Sequence, residues 1–191
     1  MTDEMLAERT RQGSGRAFAT LVAKHCDAVY RIAENICASV ADAEKVTRLT
    51  FISAYRDATS RPGGVSFRTW LYGIAMSTAM GQRQDAARRP PVSLEPYLPR
   101  FDADGDLEEV GADWPELARD RLQGMNVTGL LREALDCMDP DVRGAFVLHD
   151  LVELPAEEAA TITQTSAEVV RRRAHRARLM LRGFLDRLWS A

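Results

Sequence analysis

The sequence has 191 residues, of which 46% are hydrophobic, and a formal net charge of −3. This composition predicts folded globular cores and excludes a disordered or collagen-like chain. No stretch approaches roughly 18 uncharged apolar residues, and the N-terminus has no hydrophobic segment, so we expect a cytoplasmic protein with no membrane partner and no signal peptide. Cys26, Cys37 and Cys137 match no metal-ligand spacing and are odd in number, so we expect reduced thiols.

The first half of the chain carries three amphipathic helical patterns. Ser39 is a predicted N-cap for the second helix and Ser66 for the third, and the breaker Arg61-Pro62-Gly63-Gly64 separates these two helices. The side chains predicted to face the core are Phe18, Leu21, Val22, Val29, Ile32, Ala33 and Ile36, then Ala43, Thr47, Thr50, Phe51, Ala54 and Ala58, then Phe67, Trp70, Leu71, Ile74 and Thr78. Residues 1–87 are therefore predicted to form a bundle of three to four helices.

Helical periodicity fails between residues 88 and 124. Prolines at positions 90, 91, 96, 99 and 115 oppose long helices, and residues 102–120 hold eight acidic side chains against one arginine. The spacing of these acids fits no calcium loop. We therefore expect a flexible acidic linker. One hypothesis for its acidic residues is that they shield a basic surface elsewhere in the chain.

Helical patterning resumes in residues 125–191. Val127, Leu131, Ala134, Leu135 and Met138 predict one helix, and Asp139-Pro140, a capping residue followed by proline at the first helical position, predicts a second. A short helix follows Leu154-Pro155, ends near Thr163-Gln164, and precedes a last helix that begins with a predicted Thr165-x-x-Glu168 capping box. A short helix, a turn and a capped helix predict a helix-turn-helix, so the fold class is all-α with two small helical domains.

The last predicted helix is rich in arginine. Between residues 165 and 189 it has seven arginines and two acidic residues. The pattern buries Val170, Ala174, Ala177, Leu181, Phe184 and Leu188, and turns outward Glu168, Arg171, Arg172, His175, Leu179 and Arg182. An outward arginine face could be a solvated surface, but its place in a helix-turn-helix favours DNA binding, because guanidinium groups bind phosphates and guanine edges.

Two segments resemble the extracytoplasmic-function, or group 4, sigma factors of bacterial RNA polymerase. Residues 131–185, and above all Ser166-Ala-Glu-Val-Val-Arg-Arg-Arg-Ala-His-Arg-Ala-Arg178, resemble the family's C-terminal promoter-binding domain. The strings Ala17-Phe18-x-x-Leu21, Val29-Tyr-Arg-Ile-Ala33, Asp42-Ala-Glu44, Thr50-Phe51 and Ser66-Phe-Arg-Thr-Trp-Leu-Tyr72-x-Ile-Ala75 resemble its N-terminal domain. The resemblance implies an alternative sigma factor without enzymatic activity, whose partners are promoter DNA and core RNA polymerase, with an anti-sigma factor as a further candidate.

The resemblance also implies functional residues in three groups. For the minus-35 element they are Ser166, Glu168, Arg171, Arg172, His175, Arg176 and Arg178. For the minus-10 element they are Arg68, Tyr72, Met76 and Arg83, with Arg68 and Tyr72 expected to face outward and Trp70 expected in the core. For the polymerase or another protein partner they are Lys45, Arg48, Leu49, Ile52 and Arg56, which share one helix face opposite the buried stripe.

The chain departs from the family pattern on that last face and on the third helix. After Asp42-Ala-Glu44 the family has an acidic residue and later a Gln-Glu pair, where this chain has Lys45, Arg48 and Leu49. On the third helix the family has Arg-Asn where this chain has Met76-Ser77. A changed charge at an interface alters partner specificity. The departures therefore keep open an alternative, a sigma-like DNA-binding regulator or a decoy for an anti-sigma factor that no longer programmes polymerase.

An enzyme is the least supported reading of the sequence. His25, His149 and His175 are scattered singly, and the chain has neither a glycine-rich phosphate loop nor a nucleophile-base motif. His25 lies on the core stripe of the first predicted helix and is expected to be a packed histidine. We predict no catalytic residues, no metal and no cofactor.

Overall fold

A computed structural model describes residues 1–86 and 127–190, with the side chains of residues 1–83 and 129–185. The predicted linker at 88–124 lies outside the described residues, and so do the side chains of Val127 and Leu188. Every regular element in the two described ranges is helical, which confirms the all-α prediction. The N-terminal half holds α1 (Asp3–Arg11), α2 (Gly15–Ile36), α3 (Val40–Arg56), a short 3₁₀ turn (Ala58–Ser60) and α4 (Phe67–Ala86).

Within residues 127–190 the structure has four α-helices. These are α5 (Val127–Asp136), α6 (Pro140–Phe146), α7 (Ala156–Thr163) and α8 (Ala167–Ser190), with a π-helical turn (Val147–Leu151) continuing α6. Within the described ranges, no helix is both long enough and apolar enough to cross a lipid bilayer.

Hydroxyl side chains start the helices of the first half, as the sequence predicts. The Ser39 Oγ accepts a hydrogen bond from the Asp42 backbone N–H at 3.1 Å, and the Ser66 Oγ accepts one from the Thr69 N–H at the same distance. These bonds satisfy amide groups that have no partner inside a helix. Helix α1 was not predicted; Thr2 caps it and it buries Leu6.

Two of three predicted boundaries in the second half are confirmed, and one is wrong. Asp139 caps α6 with Pro140 in its first turn, and Gln164 ends α7 in the left-handed conformation at φ 53°. The N-cap of α8 is Ser166 and not Thr165, since the Ser166 Oγ accepts the Val169 N–H at 3.3 Å. The Thr165 hydroxyl instead forms a hydrogen bond with the Thr163 hydroxyl at the end of α7, at 3.0 Å.

The N-terminal core forms where α2 meets α1, α3 and α4. Leu21, Val29, Ile32 and Ile36 of α2 are fully buried, as the stripe on that helix predicts. Burying a side chain of this size contributes roughly 1.5 to 3 kcal/mol relative to its exposure to water. A second, smaller cluster in the C-terminal half consists of Leu135, Met138, Val142, Phe146, Ala177 and Met180.

The two halves also share one continuous apolar cluster, which the sequence did not predict. Leu148, Leu154, Ala159 and Val170 of the C-terminal half belong to the same cluster as the N-terminal core. Gly144 allows α6 to pack closely against α4. A Cβ at that position would lie 3.3 Å from the Met80 Cε and 3.9 Å from the Met76 Sδ of α4. Helix α4 is consequently packed on both of its faces.

Candidate nucleic-acid interface

Helix α8 presents a polar, strongly cationic face. Val170, Ala174 and Ala177 are fully buried, and these small side chains seat the helix against the rest of the C-terminal half. The exposed positions include all seven predicted minus-35 residues: Ser166, Glu168, Arg171, Arg172, His175, Arg176 and Arg178. The predicted orientation of these side chains is therefore confirmed, whereas Leu179 and Arg182, expected outside, and Leu181, expected inside, are half-buried.

The turn before α8 has the geometry of a helix-turn-helix. Helix α7 spans eight residues, and the left-handed Gln164 reverses the chain so that the Thr165 N–H bonds the Ala160 carbonyl at 3.1 Å. Ala156, Ala159 and Ala160 are buried, so α7 lies close to the elements it packs against. This arrangement leaves the first turns of α8 accessible to a duplex groove.

Three arginines of α8 are tied to acids of the same half. Arg171 bonds Glu157 at 2.7 Å, Arg173 bonds Asp141 and Arg178 bonds Asp150. A hydrogen bond from its own backbone N–H and a second one from Arg171 lower the pKa of the Glu157 carboxyl. Water screens the charges of such surface pairs, so a phosphate oxygen can replace the carboxylate at small cost.

The predicted minus-10 residues of α4 lie in a different environment. Tyr72 was expected to face outward but is buried, because the side of α4 that the pattern left polar packs against other elements. Met76 is buried beneath Gly144. Arg68 is half-buried and bonds Glu158 of α7, and the Arg83 Nη1 bonds Asp136 at 3.0 Å. Trp70, expected in the core, packs partly buried against it.

Tyr72 belongs to a buried hydrogen-bonded chain. Its hydroxyl lies 3.2 Å from the His25 Nδ1, and the His25 Nε2 lies 3.0 Å from the Asp3 Oδ2. A neutral imidazole satisfies both contacts when Nε2–H donates to the carboxylate and Nδ1 accepts from the hydroxyl. Burial lowers the pKa of His25 against the opposing effect of Asp3. The prediction of His25 as a packed core histidine is confirmed.

A buried arginine that the sequence did not single out joins the two halves. Arg143 of α6 is 1% exposed, and its Nε donates to the Asn35 carbonyl at the end of α2 at 2.6 Å. Its Nη2 bonds the Asp136 Oδ1 at 2.8 Å, and the same oxygen accepts from Arg83. Burial lowers the pKa of Arg143 to about 10, so it stays cationic at neutral pH. No sequence pattern marked this contact, because Arg143 lies in a run of five consecutive buried residues, 142–146, and not on a single stripe.

Comparisons with known proteins decide the family. The Sigma-70 region 2 model matches residues 21–89, and the Sigma-70 region 4 model matches residues 128–181. The chain is 31% identical over 180 residues to the ECF RNA polymerase sigma-E factor of Escherichia coli K12, covering 93% of this chain and 91% of the relative. The chain belongs to the extracytoplasmic-function sigma factors. This family directs RNA polymerase to promoters.

One further relative agrees with that assignment, and two solved structures share the fold. The RNA polymerase sigma-H factor of Pseudomonas aeruginosa is 30% identical over 178 residues, covering 92% of this chain and 90% of the relative. The fold resembles CnrH in complex with the cytosolic domain of CnrY, with a TM-score of 0.69 at 24% identity over 96% of this chain and 97% of that one. It also resembles the Bartonella quintana sigma factor RpoE in complex with the anti-sigma factor NepR, with a TM-score of 0.63 at 22% identity over 88% and 96% of the two chains.

Helix α3 of this sigma factor carries the predicted partner face, and all five of its residues are exposed: Lys45, Arg48, Leu49, Ile52 and Arg56. Tyr55 was not predicted as part of this face. It is 50% exposed, Ile52 is 55% exposed, and Tyr55 extends the apolar part of the face. Its position three residues after Ile52 was the available signal. The Lys45 Nζ donates to the Gln82 Oε1 at 3.1 Å, which ties the basic edge of this face to α4.

Proposed function

We propose that this sigma factor directs RNA polymerase to promoters through two DNA contacts, the minus-35 duplex at α8 and the minus-10 element at the N-terminal half. The observation that carries the proposal is the exposed face of α8, where Arg171, Arg172 and His175 follow the Ser166 cap. A recognition helix reads base edges from its first turns, and arginine suits guanine there. We place the domain boundaries at 1–87, 88–124 and 125–191.

The proposed role is regulatory and non-enzymatic, and it is exercised in the cytoplasm, where bacterial RNA polymerase acts. Core polymerase and promoter DNA are the proposed partners. An anti-sigma factor is proposed as a third, supported by the complexes in which CnrH and the Bartonella RpoE were solved. The exposed apolar residues of α3 are the proposed protein-binding face, since Leu49, Ile52 and Tyr55 together form an uncovered apolar surface.

Reconstitution with core polymerase tests the proposal. Promoters are selected from a random-sequence library with the purified protein and core enzyme, and run-off transcription is then measured on the selected templates. We expect transcripts that require this chain and that fall when Arg172 is changed to alanine. A chain that forms no holoenzyme and yields no transcript on any selected template overturns the proposal.

A second candidate function has one observation in its favour. Lys45 and Arg48 make the edge of the α3 face basic. Other members of the family have acidic character at this edge, and such a change of charge favours a different protein partner. The chain would then be a sigma-like regulator or a decoy that captures an anti-sigma factor. Capture of an anti-sigma factor without capture of core polymerase, in matched pull-downs, supports this second function.

A further inference from the structure

The start of α4 holds a carboxylate that comes from the other half of the molecule. Glu158 of α7 accepts hydrogen bonds from both the Nε and the Nη2 of Arg68, the first at 3.2 Å. The Thr69 hydroxyl donates to the same carboxylate at 2.8 Å and shares a second hydrogen bond with the Ser66 hydroxyl. Three donors from the N-terminal half therefore converge on one anionic group.

This donor set suits a phosphate as well as a carboxylate. The guanidinium fork places two parallel N–H groups against two oxygens, a geometry that carboxylates and phosphates share, and a hydroxyl adds a third donor. The side chains of Arg68 and Glu158 are 42% and 27% exposed, so the site lies at the edge of the packed interface. A ligand from solution reaches it once α7 moves away.

We propose that Arg68 and Thr69 form a DNA-phosphate site, and that Glu158 occupies this site when the two halves are packed together. The inference rests on the proposed function and deepens it, because it names the phosphate backbone as the part of DNA that Arg68 and Thr69 bind. Packing of the two halves and binding of the DNA backbone at α4 are then mutually exclusive.

Other contacts between the halves cover the same side of α4. Met76 lies against Gly144, and Arg83 bonds Asp136. Arg68, Tyr72, Met76 and Arg83, the residues expected at the minus-10 element, are all buried or half-buried. A strand of DNA therefore gains Arg68 and Arg83 by displacing the acids of the C-terminal half.

An ion pair that only stabilises the packing makes a different prediction from an occupied phosphate site. Loss of a purely structural pair weakens the contact between the halves without creating affinity for a ligand. Loss of a carboxylate that occupies a ligand site raises the affinity for the ligand. The halves are then separated more often, and the ligand no longer competes with the carboxylate for the site. Glu158→Gln separates these two cases.

The experiment measures binding of a short fluorescein-labelled single-stranded oligodeoxynucleotide of randomised sequence to the full-length free protein. We expect Glu158→Gln to raise its affinity about tenfold and to enlarge the radius of gyration measured by small-angle X-ray scattering. An oligonucleotide with a neutral methylphosphonate backbone should show no such gain. Glu8→Gln is the matched control: it removes an exposed carboxylate that pairs with Arg11 within α1, outside the residues assigned to either DNA contact, and should change affinity less than about twofold.

The double variant Glu158→Gln with Arg68→Gln tests whether the gain acts through Arg68. We expect it to keep the enlarged radius and to lose the added affinity. The proposal is overturned if Glu158→Gln leaves affinity unchanged, or if the double variant binds the oligonucleotide as tightly as the single one. Thermal melting of each variant verifies folding, and because free protein is used, failure here is distinguishable from failure to form an active holoenzyme.

Discussion

The arginines of α8 and those of α4 differ in what surrounds them. Arg171 and Arg178 lie on an exposed face and pair with acids of their own half. Arg68 and Arg83 pair with acids across the boundary between the halves. Helix α8 has its cationic side open, whereas the corresponding side of α4 is covered. The number of packed faces, and not the number of arginines, therefore decides whether a cationic helix is available to DNA.

Removing the buried cation between the halves should lower stability more than any other change considered. Arg143→Ala leaves the Asn35 carbonyl and Asp136 without their bonds and opens a cavity, so we expect the free energy of unfolding to fall by about 3 kcal/mol in urea denaturation. Arg143→Met, which keeps the volume, should cost less. If the alanine variant is as stable as the parent, Arg143 does not hold the halves together.

Shortening an open arginine should affect DNA and not stability. Arg172→Ala is expected to weaken binding to a selected minus-35 duplex by about 1 to 3 kcal/mol if the side chain reads a base. Fluorescence anisotropy with selected and random duplexes measures this difference. Arg11→Ala, an exposed arginine on α1 paired with Glu8, serves as the control. Equal losses on both duplexes would assign Arg172 to phosphate contact.

Removing the Tyr72 hydroxyl probes the covered side of α4. Tyr72→Phe keeps the ring in place and breaks the contact to His25, so we expect a loss of about 1 kcal/mol in the free energy of unfolding. Chemical denaturation of the two proteins side by side measures it. An unchanged stability would indicate that this hydroxyl faces solvent, as the sequence had suggested.

Acid should weaken the fold slightly through His25. Because burial holds its pKa below 6.5 in the folded protein, the unfolded chain binds the proton first. The contribution of His25 to the free energy of unfolding should therefore be constant well above pH 6.5 and decline as the pH falls through about 6.5. Urea titrations of the parent and of His25→Gln across this range measure the difference. An identical pH dependence in the two proteins would exclude His25 as the titrating group.

Much of the local structure was predictable because its causes are local. Ser39, Ser66 and Asp139 start helices through hydrogen bonds to amide groups within three residues. The stripe on α2 defines its buried side, and the stripe on α8 defines its open side. The cap of α8 was misplaced by one residue, because Thr165 and Ser166 have the same chemistry and the turn geometry selects between them.

The shared core and the covered side of α4 were decided by tertiary structure. One amphipathic pattern describes a helix with a single packed face. It cannot predict a second contact made from 89 or 90 positions further along the chain, as between Glu158 and Thr69 or Arg68. The local pattern was enough to predict the helices other than α1, the arginine-rich face of α8 and the family resemblance. The tertiary structure decided which cationic side chains are open, because burial depends on what packs against each face.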